Sequence, residues 1–494
     1  MNYKTITTFI IVFILYVLLS RGFIGVTSYG SFDDITDPVL RSSFESSQER
    51  ARYSQMLSFV TQGKLSIDDV KDFAKPDLAW INNHYYPAYP PGLSILLSPF
   101  FAIGHLLNAP MVFVNLANAL LTLLTGYLLY RVSKRIGFSY DESLLIGVIY
   151  TASTLVLSYG TTLYQHTLSG LLLFVILYLH LVNSNASSSW FLLLLQGLLV
   201  SAAYLVDYPN IVPALVIFIA TCITKLHYSE DAVKLYITVR SNLLWLFLGL
   251  LVGFILIGLI NYSLFGQAFI LTNRYNLRVL DLHNITYTYE SLNSSMFSEV
   301  VYAEKFNIHN LFRGIHILLF SVDRGLFIYT PILLLLAFTI KRFGNPNLRN
   351  LLLLTFFSNL LLYSMYDDPW GGWAFGPRYL IPTLPMLVLL LAPLLRVGIP
   401  KKVLYLFILP FMSIIPLLGA TTSNLVPPSI EQNLTIPSSF LTNIEYLRSG
   451  YTGSFVFNHL FRDYMSLTWY FLLVLSFPFI LYVLLYFFQR KHTP

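Results

Sequence analysis

One polar and glycine-rich stretch, residues 366–379, lies between two long apolar runs and carries the side chains best suited to chemistry. Its members are two adjacent acids, two tryptophans and one arginine: Asp367, Asp368, Trp370, Trp373 and Arg378. The carboxylates can accept hydrogen bonds or bind a divalent cation, and the indoles can stack on a sugar ring or a prenyl chain. The guanidinium offers a fork of donors suited to phosphate. An aromatic belt at the membrane surface would explain the tryptophans, but neither the acid pair nor the arginine.

Composition indicates a membrane protein with several spans. Of the 494 residues, 56% are hydrophobic and only 11% are charged, and the mean hydropathy is +0.65. A soluble domain carries roughly 25% charged residues. The net charge of +6 is typical of lysines and arginines at cytoplasmic helix ends, so it does not indicate nucleic-acid binding. A single cysteine, Cys222, excludes an intrachain disulfide and a cysteine-based zinc site.

Apolar runs long enough to cross a bilayer predict an all-α polytopic fold, since a span needs about 20 mostly apolar residues. Twelve runs are predicted as spans: 7–27, 109–130, 142–159, 167–183, 188–206, 209–225, 241–262, 322–341, 350–366, 379–396, 402–421 and 467–488. The apolar stretch 93–107 is predicted as a re-entrant or interfacial helix, because a further span there would invert every later orientation. The first run lacks a small-residue cleavage site, so we interpret it as a retained span.

The basic residues between these runs fall on one side if the amino terminus is cytoplasmic, as the positive-inside rule requires. Both termini are then predicted in the cytoplasm of a multi-pass protein of the cell membrane. Three long loops are predicted outside: 28–108, 263–321 and 422–466. The predicted organisation is a transmembrane catalytic domain over 1–421, an external cap loop over 422–466, and a final helix with a cytoplasmic tail over 467–494.

The first external loop supplies most of the candidate acids. Residues 41–62 predict a helix lying on the membrane, on which Glu45 and Glu49 are four residues apart and share a face; a solvated charged face explains the same pattern. Asp33 and Asp34, just outside the first span, and Asp77, further along the loop, are other candidate acids. The following Tyr/Pro/Gly run, which includes Tyr86 and Tyr89 and ends at Gly92, predicts a rigid turn.

The same loop resembles the first external loop of the GT-C membrane glycosyltransferases. The motif residues are Glu49-Arg50-Ala51-Arg52-Tyr53, then Gly63, Tyr86 and Pro90-Pro91-Gly92. They are similar to those of protein O-mannosyltransferases and lipid A aminoarabinose transferases, which typically show Asp-Glu-x-Arg-Tyr and Tyr-x-x-Lys-Pro-Pro. The resemblance implies that Glu49 takes the place of the catalytic carboxylate. Two departures stand out: Arg50 replaces the acid after it, and Tyr89 replaces the lysine before the prolines, for which Arg378 can supply the positive charge.

Two further external positions are candidates for binding the phosphate. His166, at the start of the fourth predicted span, can shuttle a proton or contact phosphate; a helix-end histidine bonded to backbone is the simpler alternative. Arg324 follows Asp323 at an apolar boundary, where an unpaired charge is expensive, and a structural ion pair explains it equally well. We find no phosphate-binding glycine loop, no zinc spacing and no Ser/His/Asp arrangement.

These observations together predict a glycosyltransferase that uses a polyprenyl-phosphate-linked sugar and acts on a glycan, lipid or protein at the external face. Glu49 is the expected general base, and Arg378, with Arg324 and His166, the expected phosphate site. Substrate contacts are expected from Asp77, Tyr86, Tyr89, Trp370, Trp373, Asp367 and Asp368. A Mg²⁺ or Mn²⁺ ion is permitted by the paired acids but not required. The alternative is a secondary transporter or lipid flippase, which twelve spans would also suit.

Overall fold

The computed structural model describes residues 3–27, 30–183, 189–229, 234–239, 242–275, 306–428 and 439–490. Within these ranges the chain is mostly helical. The longer helices are Tyr3–Leu19, Ser47–Gln62, Gly92–Leu106, Pro110–Arg135, Tyr140–Ala152, His166–Asn183, Trp190–Val206, Ile211–Cys222, Leu243–Phe265, Leu311–Phe320, Pro346–Ser364, Ser439–Ser449 and Leu467–Arg490. Shorter helical segments lie at Pro38–Ser43, Lys71–Ala74, Val156–Tyr159, Leu326–Tyr329, Pro331–Leu335, Leu336–Thr339, Arg378–Thr383, Leu384–Leu389, Ala392–Arg396, Lys401–Val403, Leu404–Ile408, Leu409–Met412 and Ile414–Thr421.

Six helical stretches in the described ranges are long and apolar enough to cross a bilayer. They are Pro110–Arg135, His166–Asn183, Leu243–Phe265, Arg378–Arg396, Lys401–Thr421 and Leu467–Gln489. The other predicted runs also contain helix. Most of these helices are shorter or broken, whereas Pro346–Ser364 has 19 residues but is not among the six apolar stretches. The run 322–341, for example, divides at Pro331, because proline lacks the N–H that the preceding turn needs. The chain is therefore a helical, multi-pass membrane protein, and the number twelve stays a prediction.

Two antiparallel hairpins are the strand pairs of the described residues. Leu78–Ile81 pairs with His84–Pro87 within the first loop, with Ala79 opposite Tyr86. Its turn residues Asn82 and Asn83 have φ of 50° and 65°, a left-handed conformation that asparagine tolerates. The second hairpin pairs Ile223–Ser229 with Lys234–Val239, where the sequence predicted the end of a span.

Helix Ser47–Gln62 lies inside the predicted first loop, but it is much more buried than a helix on a membrane surface. An unbroken run from Gln48 to Ser58 is buried. Its charged side chains find internal partners, which offsets the loss of water. The Arg50 guanidinium, for instance, donates to the carbonyls of Phe44, Glu45, Phe73 and Lys75 at 2.8–3.0 Å.

The segment after residue 421 is fixed to the first loop by buried polar contacts. Arg21 donates to the Thr422 carbonyl at 2.9 Å and forms a 2.7 Å ion pair with Glu45. The Ser423 hydroxyl donates to the same Glu45 carboxylate at 2.6 Å. These bonds place the start of the predicted cap loop against the first loop, while the proposed division of the chain at 421 and 466 stays a prediction. The tail at 491–494 lies outside the described residues.

Candidate functional site

A cavity of about 790 Å³ lies where several of the predicted external segments meet. Its walls come from the first loop, from the turns that precede helices His166–Asn183 and Ile211–Cys222, and from the stretch 366–379. Five of the residues predicted from the sequence line it: Asp77, Tyr89, Asp368, Trp373 and Arg378. The fold therefore brings together acids, aromatic side chains and a guanidinium that are separated by up to about 300 residues in the sequence.

Arg378 is a cation of this cavity with an unused donor among the described residues. Its guanidinium is 7% exposed, and it forms no ion pair with a carboxylate within the described ranges. Its Nε has no hydrogen-bond partner there. With the Gln48 amide turned so that its oxygen faces the guanidinium, that oxygen accepts from the two terminal nitrogens at 2.9 and 3.3 Å. A buried guanidinium left with free donors is suited to bind an anion.

The backbone of the 366–379 stretch curves beneath this guanidinium. Gly371 and Gly372 have φ of 73° and 60°, a region that favours glycine. A Cβ placed on Gly371 would lie only 3.1 Å from the Arg378 Nε, so glycine permits the close approach. Asp368 closes the turn by accepting from the Gly372 N–H at 2.6 Å. This turn places the Asp368 carboxylate and the half-exposed Trp373 ring on the cavity wall.

Arg324 has a different environment from Arg378. It is fully buried, and it donates to the carbonyls of Trp370, Gly372, Val426 and Asp323 at 2.8–2.9 Å. Its side chain does not line the cavity. These bonds hold the 370–373 turn against the segment after residue 421. The structure thus places Arg324 behind the site, as a support for the turn that carries Asp368 and Trp373.

Helix Ser47–Gln62 forms the opposite wall with its first turn. The Ser47 hydroxyl donates to Asp77 in a short hydrogen bond. One turn further along, the Arg52 guanidinium lies 4.7 Å from the centre of the Tyr89 ring and donates to Gln165 at 2.7 Å. Burial holds the pKa of Tyr89 well above its usual value, so its hydroxyl stays protonated, and it donates to the turned Gln48 amide oxygen at 3.2 Å.

Glu49 lies one layer behind this wall and does not line the cavity. Its carboxylate is 1% exposed and accepts from the Leu163 N–H at 3.0 Å. Burial raises its pKa to about 7, although nearby Arg21 and the Leu163 N–H act in the opposite direction. Glu49 thus fixes the turn that carries Gln165. The rival acids Asp33 and Asp34 are exposed to solvent and also lie outside the cavity lining.

Asp207, which is not among the site residues predicted from the sequence, also lines the cavity. It is 9% exposed, and the Gln165 amide donates to it at 3.2 Å. Burial raises its pKa to about 6, partly offset by Gln165 and by the guanidiniums of Arg52 and Arg378. Gln48, Gln165 and Glu45 line the same cavity. Helical spacing offered a signal for Gln48, because it lies four residues before Arg52 on one helix face.

The remaining predicted site residues lie near the cavity without lining it. The Tyr86 hydroxyl donates to the Leu264 carbonyl at 2.9 Å. The Trp370 ring lies 4.9 Å below the Arg313 guanidinium, and exposed Asp367 accepts from Asn310 at 3.2 Å. His166 is buried and stacks on Tyr164 at 6.0 Å, and neither of its ring nitrogens has a hydrogen-bond partner within the described ranges.

A divalent cation has no evident protein cage in the described part of the chain. No three His, Cys, Asp or Glu side chains there converge as metal ligands. The paired acids also diverge, because Asp368 faces the cavity whereas Asp367 is exposed on the other side of the turn. The residues therefore do not fit a Mg²⁺ or Mn²⁺ ion held by this pair.

Fold and cavity define a multi-pass helical membrane protein with a polar, arginine-containing pocket at one end of its helices. No family model and no curated protein matches the chain. Among solved structures, it is similar to ArnT from Cupriavidus metallidurans in the apo state, with a TM-score of 0.46 and 13% identity, covering 98% of this chain and 74% of that one. It is also similar to the structure of the same ArnT bound to undecaprenyl phosphate, with a TM-score of 0.46 and 10% identity, covering 98% of this chain and 76% of that one. A likeness of this degree concerns overall shape, so function has to be inferred from this chain's own residues.

Proposed function

We propose that this protein is an integral-membrane glycosyltransferase that moves a sugar from a polyprenyl-phosphate-linked donor to a hydroxyl of a glycan, lipid or protein on the extracytoplasmic side. The observation that carries the proposal is the Arg378 guanidinium, which is buried in the cavity and has, among the described residues, no carboxylate ion pair and no partner for its Nε donor. A phosphate would take up these donors and neutralise the charge.

The cavity also offers what the rest of such a substrate needs. Asp77, Asp207 and Asp368 present carboxylate oxygens that can accept from sugar hydroxyls, and Trp373 offers a ring on which a sugar can stack. Val212 and Leu362, on two apolar helices, line the same space. An apolar wall next to a phosphate site suits a lipid-linked donor, whose chain stays in the bilayer while its head enters the cavity.

In the proposed reaction, the acceptor oxygen attacks the anomeric carbon, and the bond from that carbon to the phosphate oxygen breaks. Asp207 takes the proton of the acceptor hydroxyl, since its pKa of about 6 keeps it ionised yet basic near neutral pH. Polyprenyl phosphate leaves, and Arg378 stabilises the charge that develops on it. Glu49, predicted from the sequence as the base, is instead assigned to holding the turn with Gln165, which orients Asp207.

Binding of a short-chain polyprenyl phosphate to the purified protein tests the phosphate site without knowledge of the sugar. We expect Arg378→Ala to weaken that binding by about 10- to 100-fold, the loss expected for charge-assisted hydrogen bonds. The matched control Arg462→Ala removes an exposed arginine and should bind like the wild type. Equal binding by all three proteins would remove the basis of the proposal.

A second experiment separates transfer from transport. Protein in lipid nanodiscs is supplied with radiolabelled hexosyl or pentosyl polyprenyl phosphates and an extract of extracytoplasmic glycans, lipids and proteins. The expected result is release of polyprenyl phosphate together with labelled acceptor, lost in Asp207→Asn and Arg378→Ala. Vesicles that exchange the labelled sugar lipid between leaflets while the sugar–phosphate bond stays intact would favour the flippase alternative and contradict the proposal.

A further inference from the structure

The segment 306–322 next to the cavity mouth carries a row of exposed apolar side chains. Ile308, Phe312 and Phe320 are 69%, 83% and 56% exposed. With exposed His316 they follow one another at intervals of four residues, so they lie along one side of the segment. Three large apolar groups in a row would be unfavourable in water, which indicates that this side is covered.

The opposite side of the helix Leu311–Phe320 packs tightly on the protein. Gly314, Ile317 and Leu318 are buried, and a Cβ on Gly314 would lie 2.1 Å from the Ser364 carbonyl oxygen. The helix thus touches the carboxyl-terminal end of helix Pro346–Ser364 with no space between the two backbones. Its orientation, and hence the direction of its exposed side, is fixed by this contact.

The exposed side continues a surface that faces lipid. On helix Pro346–Ser364, which the sequence predicts as a span, Leu354, Phe357 and Leu361 are 59%, 45% and 42% exposed and follow one another at helical spacing. This stripe ends at the turns against which the segment 306–322 packs. A bilayer that covers the stripe therefore reaches its boundary next to Phe312 and Phe320.

The composition of the segment suits that boundary. It has no acidic residue and includes Arg313, His309 and His316. The Arg313 guanidinium lies 4.9 Å from the Trp370 ring, and tryptophan is enriched at the headgroup level. The helix Leu311–Phe320 has 10 residues, about 15 Å at 1.5 Å per residue, which is half of what a span needs.

We infer that residues 306–322 form an in-plane interfacial anchor, whose exposed side lies in the headgroup–acyl boundary of the bilayer beside the cavity mouth. Phe306, at its amino-terminal end, is itself half exposed and lines the cavity. The Asn307 N–H donates to the Met365 carbonyl at 2.7 Å, just before the 366–379 stretch. The anchor therefore holds the cavity mouth at the depth where the phosphate of a membrane lipid lies.

Spin labels attached to single introduced cysteines can measure this depth. The chain has one native cysteine, Cys222, so a single substitution removes the background. In a Cys222→Ser background in nanodiscs, labels are placed by Phe312→Cys and Phe320→Cys. Phe357→Cys on the lipid-facing stripe and Lys64→Cys on the exposed first loop serve as references. Collision with oxygen, which partitions into lipid, is compared with collision with a water-soluble nickel chelate.

The expected result is that both anchor labels read about 5–10 Å below the headgroup surface, between the aqueous Lys64 label and the deeper Phe357 label. Aqueous readings at Phe312 and Phe320, or spin–spin broadening that indicates a second copy of the chain, would overturn the inference. Gly314→Val, which forces the helix off Ser364, should broaden the range of depths at Phe312, and an unchanged depth would count against the anchor. None of these readings requires transferase activity, so the inference and the proposed function can fail separately.

Discussion

Arg324 and Arg378 are two buried guanidiniums at the same end of the molecule, and the structure gives them opposite surroundings. Arg324 donates to four backbone carbonyls, whereas the Nε of Arg378 has no partner among the described residues. Both follow a turn and precede an apolar run, so their sequence contexts look alike. The comparison teaches that the use of a guanidinium's donors, and not its burial, separates a support of the fold from a site for an anion.

The largest effect is expected from Arg324→Ala, because it leaves buried carbonyls without donors. Loss of one partner from such a buried charged network costs about 3–5 kcal/mol. The variant should unfold at a clearly lower temperature in detergent, and any lost binding of polyprenyl phosphate should follow the lost folded fraction. An Arg324→Ala protein with wild-type thermal stability would break the contrast between the two arginines.

Arg378→Lys should instead preserve the fold and impair the reaction. Lysine keeps the charge but not the planar fork, so we expect transfer to fall about 10²- to 10³-fold, the range seen when one donor to a developing oxyanion is lost. Thermal unfolding serves as the control and should match the wild type within a few degrees. Full activity in Arg378→Lys would show that the site needs only a positive charge.

Glu49→Gln should change how the stability of the fold depends on pH. The pKa of Glu49 is about 7 in the folded state against an ordinary 4.5, so the folded protein binds an extra proton between those values. Wild-type stability therefore falls as pH rises from 4.5 to 7, by about 3 kcal/mol in total. The glutamine variant lacks this loss, and its advantage in unfolding temperature over the wild type should grow between pH 5 and pH 8. An advantage that stays constant across this pH range would contradict the burial of the Glu49 charge.

The smallest effect is expected from Trp373→Ala on the cavity wall. A half-exposed ring that stacks on a sugar contributes about 1 kcal/mol, so KM for the lipid-linked donor should rise several-fold while kcat changes little. Trp370→Ala is the matched control, because that ring is already covered by Arg313. Equal effects of the two substitutions would indicate that neither indole contacts the sugar.

Hydropathy and charge were sufficient to predict the class of protein and the end of the molecule where its polar residues meet. They led to Arg378, Asp77, Tyr89, Asp368 and Trp373, all of which line the cavity. Local sequence could not distinguish Arg324 from Arg378, because the carbonyls that occupy Arg324 come partly from Val426, about 100 residues away.

Two other features depended on packing that the sequence does not display. Asp207 has the local pattern of a helix cap, and only the fold brings it beside Gln165 on the cavity wall. Helix Ser47–Gln62 carries enough charge to be predicted as a surface helix, yet its charged groups are satisfied internally. The helix Leu311–Phe320 lies within the predicted external loop 263–321. With 10 residues it is too short to be predicted as a span.

The bonds between the two ends of the chain have a consequence for biosynthesis. The Tyr470 hydroxyl donates to the Leu18 carbonyl at 2.6 Å, across 452 residues, and the Gly22 N–H donates to the Gly453 carbonyl at 3.2 Å. While the ribosome is still making the chain, Arg21 and Glu45 lack the groups of residues 422 and 423 that later satisfy them. The cavity, whose lining includes Glu45 and Leu425, is therefore complete only after residues 422–425 have been synthesised.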